Sequence, residues 1–169
     1  PQAPQFCALP ANLSCDEDDS ISYSFAEHLT DLDGTIDDLV LFVSGNEHIA
    51  VYFDGTSMMA IPHHNWCGYD TISVIVKDID ELADTALIII AVNCINDPPR
   101  FSELVLTDTT IFQSDSIIIN FPEYITDPDN NFADLSFRFW GYTYLSTSFN
   151  AMGELKISAP QFWSGTETL

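Results

Sequence analysis

The chain has 169 residues, enough for one large domain or two small ones. Hydrophobic residues make up 46% of it and aromatics 12%, yet 26 Asp and Glu stand against 4 Lys and Arg, for a net charge of −22. That balance excludes nucleic acid and anionic membranes as partners, because both need basic surface. It leaves bound cations or a salty medium open, with plain solvated carboxylates as the bland account. No apolar run approaches the roughly 20 residues of a membrane helix, so no membrane insertion is expected in this segment. The chain shows no signal peptide and does not begin with Met, as expected of a mature or excised piece.

Taken in order, very little of the chain reads as helix. An opening strand is expected near Phe6 to Leu13, followed by the acidic turn Asp16-Glu17-Asp18-Asp19. Ile21, Tyr23 and Phe25 alternate with serines, the pattern of a half-buried strand. Asp31-Leu32-Asp33-Gly34 is a loop. Strands are then expected over Leu39 to Val43, Ile49 to Phe53, Met58 to Ile61, Thr71 to Lys77 and Thr85 to Val92. The breaks between them carry Gly45-Asn46, Asp54-Gly55, Pro62 and Asp78-Ile79-Asp80. Seven short strands at this spacing predict a Greek-key β-sandwich.

The run Ile95-Asn96-Asp97-Pro98-Pro99-Arg100-Phe101 looks like a joint between domains. It follows a strand, offers oxygen ligands, and ends in a stiff diproline that cannot continue a ladder. Beyond it the first half recurs. Asp31-Leu-Asp33 returns as Asp127-Pro-Asp129, Ser20-Ile21 as Ser116-Ile117, Leu39 as Leu135, Trp66-Cys67-Gly68 as Trp163-Ser164-Gly165, and Pro4-Gln-Phe6 as Pro99-Arg-Phe101. The common spacing of about 96 residues is that of a tandem domain, too long for a solenoid unit. The expected domains are 1–97 and 98–169. After Trp163-Ser164-Gly165 too few residues remain for the last two strands, so the second sandwich is expected to be truncated. Its completion, by further chain or by a strand from a neighbour, is left open.

The four cysteines, Cys7, Cys15, Cys67 and Cys94, all precede the diproline. None forms a C-x-x-C pair, which argues against zinc and redox motifs. Their even number in one half fits two disulfides in an oxidising compartment, with buried free thiols as the alternative. Three connectivities are possible.

Together, Asp31-Leu-Asp33-Gly34, Asn65-Trp66-Cys67-Gly68, Val76-Lys77-Asp78-Ile-Asp80 and Ile95-Asn96-Asp97-Pro98-Pro99 resemble the tandem repeats of cadherin-like and bacterial immunoglobulin-like surface proteins. The resemblance implies an all-β chain of seven-stranded Greek-key sandwiches, Ig-like or cadherin-like. It implies an extracellular stalk, adhesin or filament, often with calcium at the joints. Partners would be neighbouring repeats, like subunits in a filament, or a surface ligand. Two departures are visible: Cys94 stands at a linker position that is usually acidic in cadherins, and Gln113 stands where Glu17 stood.

The joint can also be argued from chemistry. Calcium takes six to eight oxygens at roughly 2.3–2.6 Å. In an alternating sandwich Asp31, Asp33 and Asp78 are expected to converge where the chain enters the first domain. Glu17, Asn96 and Asp97 are expected where it leaves, facing Asp127 and Asp129. Carboxylates that close repel unless a cation sits among them, although Asp-x-Asp-Gly is also ordinary turn chemistry.

Other groups are weaker. His63 and His64 suit a metal but have no third partner in sequence, so a surface loop is favoured. Trp66 and Trp163, at one repeated position, read as core plugs before sugar platforms. Asn12-Leu13-Ser14 is a glycosylation acceptor pattern in a eukaryotic secretory host. No nucleophile elbow or other catalytic pattern is present, so an enzyme is not expected. The competing class is a carbohydrate-binding module of a secreted protein, which would line Trp140, Tyr142 and Tyr144 along one open face.

Overall fold

The computed structural model describes residues 1–102 and 108–169. The chain divides into two compact units, Pro1–Ile95 and Asn96–Leu169, so the division falls just ahead of Asp97.

Unit 1 is an all-β sandwich. Its strands are β1 (Gln5–Phe6), β2 (Asn12–Asp16), β3 (Ile21–Ser24), β4 (Leu29–Thr30), β5 (Val40–Ser44), β6 (Ile49–Asp54), β7 (Ser57–Pro62), β8 (Gly68–Lys77) and β9 (Ala83–Asn93). One sheet runs β2-β9-β8-β5, the facing sheet β3-β7-β6, and β1 pairs with β4. The chain crosses between these two facing sheets from β2 to β3, from β3 by way of β4 to β5, from β5 to β6 and from β7 to β8, the Greek-key pattern.

The strands follow from alternation. In β8, Ile72, Val74 and Val76 point inward and are fully buried, and Ile88, Ile90 and Val92 do the same in β9. They meet Ile21, Ile49, Met58 and Ala60 of the opposite sheet, and Phe25 is fully buried among the rings of Phe6, Tyr23 and Phe53. Each fully buried side chain of this size contributes about 1.5–3 kcal/mol relative to exposure, so this interface holds the unit together.

The expected opening strand, Phe6 to Leu13, is not one strand. It breaks into β1 and β2, which join different ladders, β1 against β4 and β2 parallel to β9. Pro10 has no N–H for a ladder, and Ala8 takes a left-handed φ of 50° that turns the chain.

Unit 2 has β10 (Arg100–Phe101), β11 (Ser116–Asn120), β12 (Ile125–Thr126), β13 (Ser146–Phe149) and β14 (Glu154–Ser158). β10 pairs with β12, and β11-β14-β13 form one antiparallel sheet. Among the described residues, 135–139 form no ladder although they carry the apolar pattern of β5. In unit 1, β5 is bonded to β8 alone, and residues 164–169, at the matching place, carry no strand. A strand without a partner leaves its backbone groups unpaired.

Ile117, Ile119, Phe137 and Phe139 are half-buried around Phe121. The Phe121 ring meets Phe101, Phe137, Phe139 and Phe149 at 5.7–6.2 Å between centres. These aromatic contacts form the centre of the core of unit 2.

Candidate functional site

Two polar devices and one cysteine bridge stand out, and both polar devices recur at matching residues of the two units. The first holds the incoming chain. In unit 1, Asp31 Oδ1 accepts from the N–H groups of Asp33 and Gly34, both at 3.1 Å. The Asp33 carboxylate accepts from the Gln2 N–H at 3.2 and 3.0 Å. In unit 2, Asp127 Oδ1 accepts from Asp129 at 3.0 Å and Asn130 at 2.8 Å, and Asp129 accepts from the Asp97 N–H. The first Asp closes its own turn; the second clasps the entering backbone. Gly34 suits this turn because a Cβ there would lie 2.6 Å from Asp31 Oδ2.

Electrostatics follow the geometry. The Gln2 N–H, and after it the Asp31 side chain, hold the Asp33 carboxyl below the usual carboxylate range. For Asp127, burial pushes upward, but the N–H groups of Asn130 and Asp129 outweigh it and the net shift is downward.

Of the expected cation ligands, Asn96, Asp97, Asp127 and Asp129 are linked in unit 2. Asn130 Nδ2 bridges Asn96 Oδ1 at 3.0 Å and Asp127 Oδ1 at 3.2 Å, and Asn96 Nδ2 donates to the Asp97 carbonyl at 2.7 Å. Asp127 Oδ2 is buried and, among the described residues, has no hydrogen-bond partner. In unit 1, Asp31 and Asp33 are together, while Asp78 is turned onto its own hairpin loop, accepting from the Leu82 N–H at 2.8 Å. Asp84, which sequence reasoning missed, ties β1 to the start of β9 by accepting from the Phe6 N–H at 2.9 Å. Glu17 is buried, 8% exposed, and accepts from the Ile95 N–H. Among the described residues no three His, Cys, Asp or Glu side chains are already grouped as a metal cage.

The second device surrounds the tryptophans. In each unit the Trp indole lies over the glycine two residues on. A Cβ on Gly68 would stand 3.4 Å from Trp66 Cζ2, and one on Gly165 would stand 2.9 Å from Trp163 Cζ2. A second ring stacks on the indole: His48 on Trp66 at 4.7 Å between centres, and Tyr144 on Trp163 at 5.8 Å. An acid then staples the stacked loop. Asp70 Oδ2 accepts from the His48 N–H at 2.9 Å. Glu167 accepts from Thr143, Tyr144 and Leu145 N–H at 2.8, 2.8 and 3.0 Å. Burial raises the Glu167 carboxyl, but these three donors win and lower it. Sequence reasoning took the tryptophans as plugs and missed the acids. The signal was there, since Asp70 and Glu167, like His48 and Tyr144, obey the same repeat spacing of about 96 residues.

Only one disulfide forms among the described residues, between Cys67 and Cys94, where two were expected. The β8–β9 register sets Gly68 against Val92 and so brings the flanking cysteines to a Cα separation of 5.0 Å, within bridging range. Cys7 is exposed and Cys15 half-buried, and both are free thiols. Burial, and then the nearby Asp19 and Asp16, push the Cys15 thiol up in pKa and keep it unreactive. Asp18 accepts from the Asn65 N–H at 2.9 Å and contacts His64 Nδ1 at 2.7 Å, anchoring the loop that carries Cys67. Trp140, Tyr142 and Tyr144 lie outside the strands, with Trp140 76% exposed.

No family model and no curated protein sequence matches the chain. Among solved structures it is similar to extracellular cadherin domains 1–5 of protocadherin gamma B2, at 16% identity and a TM-score of 0.48, covering 96% of this chain and 33% of that one. It is also similar to an endo-fucoidan hydrolase of glycoside hydrolase family 107, at 16% identity and a TM-score of 0.47, covering 94% of this chain and 24% of that one. A third similarity is to a Bacteroides ovatus mixed-linkage glucan utilization locus protein in complex with a mixed-linkage heptasaccharide, at 13% identity and a TM-score of 0.42, covering 97% of this chain and 42% of that one. The chain spans less than half the length of each of these structures.

Proposed function

We propose that the chain is a non-catalytic structural segment of an extracellular surface protein, a stalk, adhesin or filament made of repeated β-sandwiches. The observation that carries this reading is the matched clasp: Gln2 onto Asp33 in one unit and Asp97 onto Asp129 in the other. In both units the converging carboxylates hold backbone amides, which is the work of a scaffold. A disulfide and a strongly acidic surface support an oxidising, cation-rich exterior.

Calcium at the acidic loops is part of the proposal. Asp127 Oδ2, buried and without a hydrogen-bond partner among the described residues, supports it, because an orphaned carboxylate oxygen is costly until a donor or a cation meets it. Asn96, Asp97, Asp127 and Asp129 would supply oxygens, the ligand type calcium takes. The test is thermal melting of the full chain with calcium and with chelator. Calcium should raise the melting temperature, and Asp97→Ala should reduce that rise more than Asp80→Ala. Equal melting in both conditions would remove calcium from the account.

A second reading, carbohydrate binding, has one observation in its favour. An open groove of 490 Å³ along β3, β7 and β6 is lined by Tyr52, Tyr23, Met59 and Asp54. An aromatic platform beside a carboxylate suits a sugar face. A glycan array screened with the full chain and with Tyr52→Ala separates the two: glycan binding lost in the variant favours the module, and no binding favours the scaffold.

A further inference from the structure

The sequence sets His63 beside His64 and names no further partner; the β6–β7 hairpin supplies one. Ile49 stands opposite Pro62 in that ladder, so the next pair outward is His48 and His63. The His63 N–H donates to the His48 carbonyl at 2.9 Å, and the two imidazole centres lie 6.3 Å apart. The His48 ring is held flat against the Trp66 indole with 6° between planes, so its orientation is set in advance. His63 is exposed and free to swing. Among the described residues neither ring is engaged by a hydrogen bond, whereas His64 Nδ1 lies 2.7 Å from Asp18.

We propose that His48 and His63 form a two-histidine site for a divalent transition metal of the zinc and copper type, completed by water. Imidazole nitrogens select such metals over calcium, which takes oxygen. Metal–nitrogen bonds of about 2.1 Å would bring the two ring centres to about 5 Å, a swing of about 1 Å by the exposed ring. The net charge of −22 concentrates cations near the surface. Stacking alone does not account for a histidine at position 48, since Tyr144 fills the same place on Trp163. In unit 2 the residue matching His63 is Ala159, so the site belongs to unit 1 alone.

The test is a copper(II) titration of the full chain in excess calcium, read by tryptophan fluorescence and by calorimetry. Copper bound at His48 quenches Trp66, so a saturable quench is expected, reversed by competing zinc. His63→Asn should weaken binding by about tenfold or more, and His64→Asn and His28→Asn should change it less than twofold. Trp66→Phe should abolish most of the quench while calorimetric binding persists. His63 is exposed, so its variant folds and judges the site even where His48→Asn disturbs the stack. Unchanged affinity in His63→Asn, an equal loss in His64→Asn, or a full quench surviving Trp66→Phe would overturn the assignment.

Discussion

Removing the Cys67–Cys94 bridge is the perturbation whose size the structure states best. The bridge joins residues 27 apart in sequence, linking the entry to β8 with the exit from β9. In the chain-entropy picture, closing a loop of that length removes about 3.5 kcal/mol of freedom from the unfolded chain. Unit 1 has the size of a small domain, for which each kcal/mol moves the melting temperature by about 4–8 °C, so the loss is about 15 °C or more. The assay is calorimetry of the full chain, native and as the Cys67→Ala, Cys94→Ala double variant. One transition should fall by that amount, and a transition belonging to unit 2, which has no cysteine, should stay in place. Mass spectrometry after alkylation without reduction should label Cys7 and Cys15 only. Four labelled thiols, or a shift under about 5 °C, would refute the reasoning, since it would mean that the bridge does not form or does not constrain the unfolded chain.

Other outcomes follow from the stapled tryptophans. Gly68 has a φ of +141° and lies beneath the Trp66 ring, so Gly68→Ala should cost about 1–3 kcal/mol in chemical denaturation. Asp70 is buried and holds the His48 amide, so Asp70→Asn should cost about 1.5–3 kcal/mol by the same measurement. Glu167 has its folded pKa below its ordinary value of 4.5. Its contribution is therefore complete above that value and lost as pH falls through the lower folded one. Amide exchange at Thr143, Tyr144 and Leu145 should stay protected at neutral and mildly acidic pH and open only in stronger acid, whereas in Glu167→Gln it should lose that pH dependence.

The fold was legible where residues alternate. Ile72, Val74 and Val76, or Ile88, Ile90 and Val92, sit at every second position of two expected strands, and each set forms one buried face. The turns were legible because Gly45 and Gly55 sit at positive φ, as their turns require. Pairing was less so. Nothing local tells β2 to lie parallel to β9, because that contact spans most of unit 1. The cysteine pairing was hidden for the same reason: it depends on the β8–β9 register. The loop acids were read as cation ligands from their type. The backbone amides that Asp31, Asp33, Asp127 and Asp129 accept from carry no sequence signal. Residues 135–139 carry the apolar pattern of β5, but a strand also needs a neighbour to bond to.

The proposed scaffold with calcium at its acidic loops stands or falls most directly on isothermal calcium titration of the full chain. The account predicts saturable uptake by the millimolar range, the affinity of extracellular modules, weakened in Asp127→Asn and little changed in Asp78→Asn. The absence of any calcium heat at millimolar concentration, or uptake indifferent to Asp127→Asn, would contradict it.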